Sequence, residues 1–360
     1  MPTNYHGLII NNHLYPIDNL KDYCNDMCSD NGVPEWQKKV YAFIHEWINE
    51  KDFINQSSSG TTGQQKEFRL PKKAMITSAE KTCQFFDLHF GQTNLLCLSM
   101  DYIAGKMMVV RAFVGGLNLL MTEPTSMPDL SSFGKVDFCA MVPLQVYNSL
   151  NSVETLRKIN KLIIGGGEIR DELEVMLRDM PNEVYATYGM AETCSHVAIR
   201  RISGLEPERY FNALPGVSFS ADQRNCLSID ADFLGSRVVT NDVIDLIDEK
   251  TFRWIGRYDN LINSGGVKIV PEEIEAVVSK TTGLDCAVIG LPDKILGAKV
   301  VLVLEKGGSE MNEQELQETL KSELPKHSHP KEIIFLDELP RSHSFKVDRY
   351  KLKQQLSKKK

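Results

Sequence analysis

Apolar positions recur at helical spacing over residues 35–50, where Trp36, Val40, Phe43, Ile44, Trp47 and Ile48 fall on one face of an amphipathic helix. A polar, small-residue stretch follows at 56–66. From there to about 190, short apolar runs alternate with helical patterns. The runs 94–99, 117–122, 136–142, 161–164 and 183–188 predict strands, and 74–90, 106–114, 143–150 and 169–180 predict helices. This rhythm predicts an α/β fold whose main sheet has substantial parallel pairing.

After about 205 the texture changes to short strands and turns, and LIDEKTFRWIG at 246–256 reads as a hairpin. GRYDNLINSGG at 256–266 is glycine-rich and polar, as a linker would be. Beyond it the pattern predicts a helix at 271–281, opened by Pro271 where helices tolerate proline. Strands near 286–291 and 299–304, a helix at 312–323 and a strand at 332–336 follow. The expected organisation is a large N-terminal α/β domain over 1–256 and a small α+β domain over 257–360.

A length of 360 residues accommodates two such domains, and 42% hydrophobic with 25% charged residues is an ordinary globular balance. Forty-one Lys and Arg against 48 Asp and Glu give a net charge of −7. The one basic run is the terminal SKKK, so nothing predicts a nucleic-acid partner. The apolar stretch 95–121 is interrupted by Asp101, Lys106 and Arg111, so no membrane span is expected. The opening MPTNYHGLII has neither a basic leader nor a long apolar core. Eight cysteines are scattered through apolar segments without zinc-ligand spacing, a pattern that favours reduced, buried thiols and a cytoplasmic location.

Three segments carry residue types that fit a nucleotide site, and each read singly also fits a plain surface loop, a simple turn or a solvated helix-start carboxylate. SSSGTTGQQK at 57–66 supplies small residues that let backbone approach a ligand, with hydroxyls, amides and a lysine able to donate to phosphate oxygens. Its spacing excludes the Walker loop, which sets Gly-Lys-Ser/Thr together. IIGGGEI at 163–169 is a glycine turn between strand and helix. YATYGMAET at 185–193 brings an aromatic, a glycine and a carboxylate to one strand end.

In order along the chain, these segments with Asp242, GRYDNLI, VKIVPEEIE and LPRSHSFKVDR resemble the acyl-adenylate-forming superfamily of acyl-CoA ligases, luciferases and peptide-synthetase adenylation domains. The match runs from about 57 to 350. The resemblance implies that Ser58, Ser59, Gly60, Thr61, Thr62, Gly63 and Lys66 surround the ATP phosphates, with Gln65 where relatives usually have proline. It implies that Gly165, Gly166, Gly167 and Glu168 form the turn beside the adenine and acyl pocket. Tyr188 would stack on adenine, Gly189 and Met190 would line the pocket, and Glu192 would hold Mg²⁺. Asp242 and Arg257 would grip the ribose, Asn241 standing where relatives have glycine. Asp259 would be the hinge between domains and Lys346 the mobile catalytic lysine, preceded by Phe345 where most relatives have glycine. Gly265 and Gly266 would line the channel for the arm of coenzyme A.

The implied reaction is attack of a carboxylate on the α-phosphate of MgATP, then transfer of the acyl group to a thiol after the small domain rotates about Asp259. Tyr102, at a position where many CoA ligases carry histidine, and the cations Lys106 and Arg111 stand in the segment that helps shape the acyl pocket of relatives. Each cation either reaches solvent along its apolar stem or meets an anion. An anion would make the acid a dicarboxylate, and the short chain, SGG at 264–266 and these cations most resemble the bacterial o-succinylbenzoate–CoA ligases of menaquinone biosynthesis. The rival readings are another aryl- or acyl-CoA ligase, a stand-alone adenylation protein serving a carrier, and a non-catalytic nucleotide-binding relative.

Overall fold

The computed structural model describes residues 7–57, 67–204, 207–306, 313–341 and 347–357. Its dominant element is a 13-stranded mixed sheet. The parallel block of that sheet is built by Gly7–Ile10, Asn118–Met121, Thr93–Leu96, Val136–Met141, Ile159–Ile164 and Glu183–Gly189, neighbouring in that order. These strands are short and apolar on both faces because helices cover them, as parallel pairing requires. The helix Ile103–Gly115 buries Met107, Met108, Val109 and Val110 beneath one face. It ends at Gly116, whose left-handed φ of 61° closes the helix.

Past Glu183–Gly189 the sheet turns antiparallel through His196–Arg201, Phe211–Ala213, Thr251–Arg257 and Val238–Asp248. A five-stranded sheet formed from Ile262–Ser264 onward makes a smaller C-terminal α+β unit with the helices Pro271–Thr282 and Glu313–Glu323. It has its own core around Ile274, Val278, Val300 and Leu302.

The predicted elements occur with shifted ends. The helix expected over 74–90 spans Lys72–Phe85, that over 169–180 spans Asp171–Arg178, and that over 106–114 begins three residues earlier, at Ile103. The linker expected at 256–266 is corrected: Ile262–Ser264 is a strand paired with Val267–Ile269, leaving a short 3-10 turn at Tyr258–Asn260 as the crossover. Its polar residues are compatible with an edge hairpin, and composition does not separate that from a linker. All eight cysteines are free, six of them buried and Cys28 and Cys286 half-buried. No helix among the described residues is long and apolar enough to cross a membrane.

Candidate functional site

Two loops leave the C-terminal ends of neighbouring parallel strands, the place where open α/β sheets take ligands. After Ile159–Ile164 comes the glycine turn. A Cβ on Gly165 would lie 2.4 Å from Thr187 Oγ1, and Gly166 has a φ of 78°. Only residues without side chains let this turn lie against the next strand while its backbone reverses. After Glu183–Gly189 comes the second loop. A Cβ on Gly189 would lie 2.2 Å from the Ser195 carbonyl oxygen, so the loop closes on itself at that point. Thr193 Oγ1 pins the closure, accepting from Met190 N–H at 3.0 Å and donating to the Ser195 carbonyl at 2.6 Å. Glu192 is exposed at the crest and borders a cleft of about 290 Å³ with Phe68, Ala74, Cys194, Phe233 and Leu234. An exposed carboxylate in such a cleft suits a hard cation that keeps most of its water.

Asp242 collects three donors from two strands. Antiparallel pairing sets it opposite Arg257, whose Nη1 donates to Oδ1 at 3.2 Å. Tyr188 Oη donates to Oδ2 at 2.6 Å and Trp254 Nε1 to Oδ1 at 3.2 Å. The Asp242 N–H is itself fixed on Thr240 Oγ1 at 3.0 Å. Burial and the adjoining Asp242 charge push the Tyr188 phenol well above its ordinary pKa, so it stays a donor. Burial opposes the Arg257 cation, but Asp242 and Asp259 outweigh it and move its pKa up. The Tyr188 ring packs edge-on against Phe252 at 5.1 Å.

Trp254 was not legible as a site residue. Strand alternation counts it out of step with Arg257. A register shift between Val243 and Ile244 sets Trp254 opposite Ile244, and its indole nitrogen reaches Asp242.

The two cations of the helix Ile103–Gly115 diverge, because five residues along a helix is well short of two turns. Lys106 leaves toward Asn55, donating to its carbonyl at 3.2 Å, with Phe43 at 5.7 Å. Arg111 goes inward and is 1% exposed. Its Nη2 donates to Ser195 Oγ at 2.7 Å and approaches His196 Nδ1 at 3.4 Å, while its Nε is buried without a hydrogen-bond partner among the described residues. Burial lowers its pKa to about 10, and no carboxylate among the described residues offsets it. His196 is held neutral, its pKa driven well below the ordinary value by burial and then by Arg111. Its Nε2 lies 3.3 Å from Thr82 Oγ1, so the network makes Nδ1 the acceptor and Nε2 the protonated nitrogen.

Glu168 reaches toward the small unit. Desolvation first, then the Glu275 and Glu272 charges, push its carboxyl upward, and the Arg349 cation opposes them. Tyr102 is the half-buried residue preceding the first turn of the Ile103–Gly115 helix. Gly265 and Gly266 form a hairpin tip at φ 61° and 84°, with Gly265 N–H on the Leu296 carbonyl at 2.8 Å. Ser58, Ser59, Gly60, Thr61, Thr62, Gly63, Lys66, Phe345 and Lys346 lie outside the described residues. The strands flanking the first segment pair with each other, Ser57 opposite Glu67, and Arg341 bridges Val347 across the second.

Residues 25–221 match the family described as AMP-binding enzyme, and 273–346 match the AMP-binding enzyme C-terminal domain. Among curated proteins, the chain is 28% identical to a probable 2-succinylbenzoate–CoA ligase of Mycobacterium tuberculosis, over 85% of each chain. Among solved structures, it is similar to an acyl-CoA synthetase (AMP-forming)/AMP-acid ligase II-like protein from Dyadobacter fermentans. That likeness has 32% identity and a TM-score of 0.60, and covers 93% of this chain and 98% of the other. It also shares its fold with the o-succinylbenzoate coenzyme A synthetase of Bacillus subtilis solved with ATP and magnesium, at 22% identity and a TM-score of 0.72, over 83% and 69% of the two chains. The glycine turn, the Gly189–Ser195 loop and the Asp242 cluster thus stand in a chain that belongs to the AMP-binding enzyme family and is an ATP-dependent, acyl-adenylate-forming acid–thiol ligase.

Proposed function

We propose that the acid is o-succinylbenzoate and the acceptor thiol is that of coenzyme A, so that the product is o-succinylbenzoyl-CoA, an intermediate of menaquinone synthesis. The observation that carries this reading is Arg111. A guanidinium 1% exposed, with no carboxylate partner among the described residues and one buried nitrogen unpaired, is an expensive arrangement unless an anion completes it. It abuts Ser195, three residues beyond Glu192, so an anion joining it would lie beside the reacting centre. The ring carboxylate of o-succinylbenzoate has the right chemistry, and the names of the Mycobacterium tuberculosis and Bacillus subtilis relatives point the same way.

In this reading the chain divides at 256/257 and works in two steps. The succinyl carboxylate attacks the α-phosphate of ATP and expels pyrophosphate. Tyr188 faces adenine, Asp242 and Arg257 orient the ribose, and the loop 58–66 with Lys66 binds the phosphates. Lys346 offsets the charge gathered as one anion approaches another. Glu192 would hold Mg²⁺, which when bound supplies neutralisation of phosphate charge. The small domain then turns about Asp259, Gly265 and Gly266 admit the pantetheine arm, the thiol attacks the acyl carbon, and AMP leaves. A cytoplasmic location accords with these substrates.

The test is pyrophosphate release with MgATP and o-succinylbenzoate, benzoate, 4-coumarate, a medium-chain fatty acid or amino acids, without and then with CoA. Release with o-succinylbenzoate followed by thioester formation is the expected result. Release with another acid keeps the ligase and overturns the substrate. Transfer only to a carrier protein overturns CoA. ATP binding without release under any condition favours a non-catalytic relative.

A further inference from the structure

Asn241 stands one residue before Asp242, and its side chain spans the start of the crossover to the small unit. Its Oδ1 accepts from Arg224 Nη1 at 2.9 Å, and its Nδ2 donates to both oxygens of Asp259 at 3.2 Å. The arginine on one end and the carboxylate on the other fix which way the amide points. Arg224 is anchored in turn. It pairs with Asp222 at 2.7 Å, donates to the Thr240 carbonyl at 3.1 Å and lies 5.1 Å from the Tyr258 ring. Two successive crossover residues, Tyr258 and Asp259, are therefore gripped by side chains of the large sheet. Arg257 adds a contact to Asp259 at 3.1 Å. A glycine at 241 would leave Arg257 and abolish the chain from Arg224 through the amide to Asp259.

We propose that Asn241 is a positioning residue that latches Asp259 in the orientation seen here, so that the small domain changes orientation only when the amide releases that carboxylate. The inference rests on the two-step reading above, in which Asp259 is the pivot. Any rotation of the Asp259 backbone swings its carboxylate away from a partner fixed in the large sheet. The 3.2 Å contacts are at the long end of the hydrogen-bond range, suited to a link that breaks and reforms at each turnover. The latch thus partitions the enzyme between its half-reactions without touching substrate.

Two variants test it. Asn241→Gly removes the link. Asn241→Asp keeps the shape and the Arg224 contact but sets a second carboxylate against Asp259. With whichever acid drives pyrophosphate release, adenylation is followed by pyrophosphate–ATP exchange and thiol transfer from preformed acyl-adenylate. The expected result is a change of about three- to tenfold in the ratio of the two rates, in the same direction for both variants and larger for aspartate. Equal change in both half-reactions, or none, overturns the latch. Amide hydrogen exchange reads the same link without substrate. Faster exchange across 258–264 in the folded Asn241→Asp protein supports the latch, and unchanged exchange overturns it. Failure of every acid to release pyrophosphate would instead sink the ligase reading, while the exchange measurement still decides the latch.

Discussion

Tyr188 donates its phenol to Asp242 Oδ2 at 2.6 Å, tying the end of a parallel strand to the antiparallel half of the sheet. The same carboxylate receives Trp254 and Arg257 and is 5% exposed as a residue, so a ribose bound there, as proposed above, would have to share it with these donors or displace one. Tyr188→Phe keeps the ring against Phe252 and removes one charge-assisted hydrogen bond. Unfolding free energy should fall by about 1–2 kcal/mol in a denaturant titration. Asp242→Ala should weaken ATP binding by about tenfold or more in calorimetry, because it removes the acceptor and leaves three donors unmatched.

Gly189→Ala puts a methyl 2.2 Å from a carbonyl oxygen and 2.4 Å from the His196 Cα, both backbone. The loop cannot yield there without moving Glu192. The expected result is a loss of about 3 kcal/mol or more of stability, or loss of soluble protein, read by thermal unfolding. Full stability with unchanged Mg²⁺ dependence would contradict the packed loop.

His196 is neutral in the folded chain because its pKa lies well below the ordinary 6.5. In the unfolded chain it takes up a proton below about pH 6.5, so the unfolded state binds more protons there and stability falls as pH drops through that value. This group contributes a slope of up to about 1.4 kcal/mol per pH unit below 6.5 and nothing above it. Urea midpoints from pH 7.5 to 5 for the parent and His196→Gln should diverge only in the acid half. Parallel curves would show that the imidazole ionises in place.

Arg111→Met tests anion recognition separately from folding. Replacing a buried cation that has no carboxylate partner among the described residues by an apolar side chain of similar reach should change stability by no more than about 1 kcal/mol. The KM for o-succinylbenzoate should rise by about tenfold or more, with benzoate unaffected. A fall in stability with unchanged KM would make Arg111 a structural brace for Ser195.

Lys346→Ala should slow adenylation by about a hundredfold or more while leaving thiol transfer from preformed acyl-adenylate within about threefold. Loss of both half-reactions in equal measure would remove Lys346 from its assigned step.

The chain's pattern determined a good deal. Alternation of short apolar runs with helical periods specifies parallel strands under helices, and those elements lie where expected to within a few residues. The ordered motifs carry the resemblance to the acyl-adenylate-forming superfamily, since glycine turns, a strand-end carboxylate and the segment around Lys346 are each written contiguously. Other facts were decided only by the tertiary structure. Lys106 and Arg111 read alike in sequence, yet one reaches a surface carbonyl and the other is sealed against Ser195 and His196, because helix phase and packing against a distant strand separate them. Trp254 joins Asp242 only through a register shift that alternation does not encode. Asn241 stands where relatives have glycine, and its amide gains its partners only because the fold brings Arg224 to one end and the crossover brings Asp259 to the other. Periodicity records which face a residue occupies. The partner on that face comes from elements far along the chain, and only the folded arrangement brings them within hydrogen-bond reach.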